Sequence, residues 1–94
     1  MGRDIETQSE YVLLVQNISD KTRRSDLEYE FDKAGPVRYI ARIRDDETLI
    51  EFKHRKDAAW AYRNLDRLEL DGSTLRVHWA EKADFEDFGW EWFE

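Results

Sequence analysis

The order in which strand-like and helix-like segments alternate leaves this chain few folds. Tyr11–Ile18, YVLLVQNI, is apolar, holds Val12, Val15 and Ile18, and stops at the polar stretch SDKT, as a buried strand does. Thr22 or Ser25 can cap a helix with Asp26 in its first turn. Leu27, Phe31 and Ala34 then recur at helical spacing until Gly35–Pro36 ends the run. Val37–Arg44 and Thr48–Phe52 read as two more strands, joined by the acidic turn Asp45–Asp46–Glu47. Asp57–Leu65 repeats the helical period, with Ala58, Ala61, Tyr62 and Leu65 as its buried stripe. Asp71–Gly72 makes a turn before a last strand, Thr74–Ala80.

Strand, helix, strand, strand, helix, strand is the split βαβ order, which predicts an α+β, ferredoxin-like sandwich. Two helices pack on one face of a four-stranded antiparallel sheet and leave the other face open for function. A chain of 94 residues supports one thin core. Residues 10–80 are therefore expected to form the domain, residues 1–9 a flexible lead-in, and residues 81–94 an acidic, aromatic extension.

The net charge of −7 is unevenly spread. Glu81, Asp84, Glu86, Asp87, Glu91 and Glu94 against Lys82 give −5 of it, which leaves −2 for residues 1–80. An acidic extension repels phosphate, whereas the body can still carry a basic face. No run of about 18 apolar residues exists, so no membrane partner is expected, and the N-terminus shows no secretory signal. With no cysteine there can be no disulfide or thiolate metal site, which suits an intracellular, reducing setting.

Four stretches in this order resemble the RNA recognition motif family over residues 11–80. Leu13–Leu14–Val15–Gln16–Asn17–Ile18 matches the six-residue signature of its first strand. Asp26–Leu27, Phe31, Gly35 and Val37 match the first helix and its exit. Asp57–Ala58, Ala61–Tyr62 and Leu65, then Asp71–Gly72 and Leu75–Arg76–Val77, match the second helix and last strand. TRRSDLEYEFDKAGPV and LRVHWA are similar to the N-terminal motif of SR-type splicing factors. The resemblance implies a nuclear RNA-processing module whose partners are single-stranded RNA, RNA-processing proteins, or both.

The family's chemistry stacks bases on aromatic rings of the open sheet face. Its eight-residue signature, K/R-G-F/Y-G/A-F-V-x-F/Y, falls on Asp45–Phe52 as D-D-E-T-L-I-E-F. Glu47 and Leu49 stand where two outward rings belong, and Leu14 stands at the third position on the first strand. The inward residues Ile50 and Phe52 are retained. Stacking contributes about 1–3 kcal/mol per base, so RNA binding is expected to be weak or atypical. Alternation turns Val12, Leu14, Gln16, Leu49, Glu51, Arg76 and His78 outward. Family spacing turns Arg42 inward and Ile43 outward, and a bulge is expected there because an unpaired buried charge is costly. Arg44, Lys53 and Arg76, with Arg23, Arg24, Arg38, His54, Arg55 and Lys56, are the cations that could meet phosphate.

The open face is thus an apolar patch of Leu14 and Leu49, joined by Ile43 if it faces outward, edged by mixed charge; it is not a base-stacking surface and suits a protein partner or a covering segment. In the extension, Phe85, Phe88, Trp90, Trp92 and Phe93 crowd five rings into FEDFGWEWF. They can fold back as extra core, lie across the sheet face and mask it, or order on a partner. An exchange of this extension between two copies would give a dimer. Trp60 falls on the flank of the second helix, as an edge cover or a protein contact.

Nothing in the sequence assembles a catalytic centre. His54 and His78 are far apart, and there is no phosphate-binding glycine loop, nucleophile motif or metal-ligand cluster. No cofactor and no small-molecule substrate are expected.

Overall fold

The computed structural model describes residues 8–87, without the side chains of Gln8, Ile43 and Asp87. In chain order the elements are β1 (Gln8–Gln16), α1 (Arg24–Asp32), β2 (Val37–Arg44), β3 (Glu47–Phe52), α2 (Arg55–Leu65), β4 (Glu69–Leu70), β5 (Ser73–Thr74), β6 (Arg76–Glu81) and α3 (Lys82–Asp87). β2, β3, β1 and β6 form one antiparallel sheet in that order, so β1 and β3 are central. The fold is the α+β sandwich that the segment order predicts.

The main core lies between this sheet and the first two helices. Leu13, Val15, Ile50, Phe52 and Val77 from the strands meet Leu27 and Phe31 of α1 and Ala58, Ala61 and Leu65 of α2. The expected inward residues are therefore inward, because period-two and period-3.6 patterns point to the same interior.

Several boundaries differ from those read in the sequence. β1 starts at Gln8, because Gln8 pairs with Glu81 across a bulge before regular pairing resumes at Leu13. Ser9 Oγ accepts the N–H groups of Tyr11 and Val12 at 3.0 and 2.9 Å, satisfying donors that the bulge leaves out of the ladder. The N-cap of α1 is Arg23, not Thr22 or Ser25; Asp26 Oδ2 accepts the Arg23 backbone N–H at 2.9 Å. Thr22 is instead buried and donates its hydroxyl to Asp71 Oδ2 at 2.6 Å, tying the loop before α1 to the turn after β4.

The expected single strand Thr74–Ala80 is split. Ser73–Thr74 pairs with Glu69–Leu70 as a separate hairpin, whose two turn residues Asp71 and Gly72 have φ of 52° and 85°. Positive φ at both central positions suits a tight hairpin turn, and Asp-Gly supplies it at low cost. Arg76–Glu81 then joins the main sheet. Tyr62 also departs from the buried stripe: it is exposed at the edge of α2 and stacks on Trp79 of β6, with ring centroids 5.2 Å apart and planes at 28°.

Gly35 has φ of 153°, and a Cβ at this position would clash with the Asp57 carboxylate. The chain leaves α1 in contact with the first turn of α2, and glycine makes that approach possible.

Candidate nucleic-acid interface

The sheet face opposite α1 and α2 is arranged in rows by strand register. Ala41, Leu49, Leu14 and His78 lie side by side across β2, β3, β1 and β6. On one side of this row lie Tyr39, Glu51, Val12 and Ala80; on the other lie Glu47, Gln16 and Arg76.

The centre of this face is filled. Phe85 of α3 is 5% exposed and forms one buried cluster with Val12, Leu14, Leu49 and Ala80, flanked by Tyr11. α3 packs on β6 and β1. Asp84 Oδ2 accepts the Glu81 backbone N–H at 2.8 Å and fixes the bend by which the chain leaves β6 for the helix. Of the rings in the extension, Phe85 thus lies on the sheet face; Phe88, Trp90, Trp92 and Phe93 lie outside the described residues. Leu14 and Leu49 are 8% and 0% exposed, so neither is a surface residue.

The polar row is cross-linked. Gln16 Nε2 donates to Glu47 Oε2 at 2.7 Å, and Arg44 lies 3.0 Å from Glu47 Oε1. Arg76 faces Asp66 at 3.9 Å, and Asp66 Oδ1 also accepts the Val77 N–H at 2.9 Å on the outer edge of β6. His78 is exposed.

The bulge expected near Arg42 is present, but it falls after Arg42, whose half-buried side chain still turns to the helix side of the sheet. The β2–β3 register breaks after it, between Arg42 and Arg44, while Arg42 itself pairs with the fully buried Thr48. Its guanidinium donates to the backbone carbonyls of Thr22, Ser19 and Asp45. The charge is spread over carbonyl dipoles at the sheet end rather than left unpaired. Arg42 clamps two loops and is not part of the outer face.

The remaining cations lie around the rim. Lys53, His54, Arg55 and Lys56 are all exposed, and Lys53 donates its backbone N–H to Pro36 O at 3.2 Å. This places them at the sheet end that also carries Tyr39 and Glu51. Arg55 makes an open ion pair with Glu10 at 3.3 Å. On the solvent side of α1, Glu30 accepts from Lys33 Nζ at 2.9 Å and raises that lysine above its ordinary 10.5. Trp60 is 40% exposed on α2, away from the sheet face.

The family model for the RNA recognition motif matches residues 13–76. The chain belongs to the RNA recognition motif family. It is 38% identical over 76 residues to a component of eukaryotic translation initiation factor 3 from Nematostella vectensis, covering 73% of this chain and 26% of that one. It is 34% identical over 73 residues to human serine/arginine-rich splicing factor 4, covering 76% of this chain and 15% of that one. The chain therefore spans about a quarter or less of the length of these two relatives. Among solved structures, the RNA15 RNA recognition motif superposes with a TM-score of 0.73 at 20% identity, over 81% of this chain and 95% of that one. At that identity the likeness speaks for the fold alone.

In this RNA recognition motif the three usual ring positions are thus occupied by Leu14, Leu49 and Glu47. The first two are covered by Phe85, and the third is bonded to Gln16 and Arg44. One aromatic on the outer face was missed in the sequence. Tyr39 on β2 is 50% exposed and lies beside Glu51. Strand alternation from Ile40 would have found it, but the bulge between Val37 and Tyr39 obscures the count from the strand's start.

Proposed function

We propose that this chain is a non-catalytic RNA-processing module that binds single-stranded RNA weakly and atypically. The observation that carries this reading is Phe85 seated on Val12, Leu14 and Leu49, where bases would otherwise stack. Each absent stacking ring forgoes about 1–3 kcal/mol. The acidic residues of α3 add repulsion, since Asp84 and Glu86 flank Phe85 in sequence. The exposed cations from Lys53 to Lys56 support a phosphate-contacting role. The likeness to a serine/arginine-rich splicing factor supports a nuclear place in mRNA splicing. Among the described residues no three His, Asp or Glu side chains group as a metal site, and no helix is long and apolar enough to cross a membrane.

A second reading is a protein-interaction module, favoured by Trp60, a large ring 40% exposed on a helix face. Aromatic rings of this kind commonly anchor protein contacts. Phe88, Trp90, Trp92 and Phe93 would extend such a surface, or mask the sheet further, or exchange between two copies. A titration of the 94-residue chain with single-stranded RNA pools at low salt, followed by amide NMR, separates the readings. Shifts on the sheet face or its rim support RNA binding. A spectrum that RNA leaves unchanged overturns it in favour of the protein module.

A further inference from the structure

We propose that single-stranded RNA binds this module on the outer face of α2, with a base stacked on Trp60 and phosphates held by Lys56 and Arg63. This site rests on the RNA-binding reading above and places the strand on the side of the domain away from the covered sheet.

Helical geometry sets the site. α2 buries Ala58, Ala61 and Leu65 in the core. At about 100° per residue, Lys56, Trp60 and Arg63 fall within about 60° of one another, on the side opposite those three. All three are exposed, Trp60 by 40%. They stand at i, i+4 and i+7, so each cation is a direct neighbour of the ring, and the stripe is about 10 Å long. Its start, Lys56, is also the last residue of the exposed run Lys53–Lys56, so a strand can pass from the rim onto the helix.

Charge is the second observation. The cations of α1 are matched to acids of that helix, Arg24 to Glu28 at 3.3 Å and Lys33 to Glu30 at 2.9 Å. The one acid within α2, Asp57, has its carboxylate against Gly35 and not on the stripe. Among the described residues neither Lys56 nor Arg63 has an ion-pair partner, and the Trp60 ring stacks on no other ring. On a chain of net charge −7, two unmatched cations around an exposed ring form a local site for an anionic ligand.

The surroundings of the ring select the ligand. A protein hot spot seats its aromatic anchor at a desolvated centre from which lysine is depleted. Trp60 instead has Lys56, Arg63 and Asn64 beside it, all exposed. A ring between cations offers what single-strand recognition combines, a platform for a base and neutralisation of its phosphates. A duplex keeps its bases stacked inside and would meet the cations alone.

The test is fluorescence anisotropy of the full chain with labelled oligo(A) and oligo(U) across a salt series. Because the substituted side chains are exposed, the variants are expected to fold, and a thermal melt of each confirms it. Trp60→Ala should weaken binding about tenfold, whereas Trp60→Phe, which keeps a ring, should stay within about threefold. Lys56→Ala and Arg63→Ala should each flatten the logarithmic salt slope by about 0.7. Arg24→Ala removes the same charge from α1 and should leave the slope unchanged. If the wild-type chain binds and Trp60→Ala binds equally well, or Arg24→Ala flattens the slope as much as Arg63→Ala, the α2 site is overturned while the RNA reading stands. If the wild-type chain binds neither oligomer, the RNA reading falls and this site falls with it, leaving the stripe to a protein partner.

Discussion

Phe85 and Leu14 come from opposite ends of the chain and are buried in one cluster on the sheet face away from α1 and α2. A three-layer order results: helices, sheet, then α3. The outer layer is thin, and Phe85 is its anchor.

Phe85→Ala should therefore destabilise the domain by about 3 kcal/mol, the usual cost of removing a buried ring. Urea denaturation of the full chain measures it. A loss below about 0.5 kcal/mol, typical of surface sites, would mean that Phe85 leaves the sheet in solution.

Arg42 supports the loops rather than a ligand. Replacing it with Met keeps much of the volume but leaves the carbonyls of Thr22, Ser19 and Asp45 without their donor. The expected cost is about 2–3 kcal/mol in the same denaturation experiment. A stability unchanged from wild type would show that water serves those carbonyls equally well.

Thr22 and Asp71 offer a separate check on the loop architecture. Thr22→Val is nearly isosteric and removes the 2.6 Å hydrogen bond from a buried hydroxyl to a carboxylate in the tight turn. Loss of about 1.5 kcal/mol is expected, and Asp71→Ala in the Thr22→Val background should add less than it does alone. Strict additivity in that double-mutant cycle would mean that the two side chains do not interact.

Gly35→Ala should cost about 1–3 kcal/mol, from the positive φ together with the clash on Asp57. Adding Asp57→Ala should recover part of this and leave the backbone component. A thermal melt of the single and double variants reads the split. Full recovery would assign the whole effect to the clash.

What was legible in the sequence follows from where the signal is local. Leu13, Val15, Ile50 and Phe52 alternate, and Leu27, Phe31, Ala58, Ala61 and Leu65 recur at helical spacing, so core and topology could be read directly. That Leu14, Glu47 and Leu49 are not aromatic, where the family's pattern expects rings, could likewise be read from position. The cover on Leu14 and Leu49 was legible only as one of several options, because pairing Phe85 with β1 depends on the bend after Glu81, which Asp84 sets by a short-range bond. The bulge near Arg42 was legible, but not that it falls after Arg42 and that three loop carbonyls receive its half-buried charge. Tyr62 was misplaced because Trp79, its partner, comes from an edge strand whose position no helical period reveals. Tyr39 was hidden by a bulge. Each miss is a tertiary fact about an edge, a bend or a bulge, whereas periodicity reports the regular interior.

The central claim is that the middle of this sheet is closed by Phe85 and that RNA binds outside it. Amide NMR of the full chain during titration with single-stranded RNA at low salt tests it most directly. The expected result is movement at the exposed rim residues Lys53–Lys56, with Val12, Leu14, Leu49 and Phe85 unmoved. Shifts centred on Leu14 and Leu49, with Phe85 displaced from them, would contradict it.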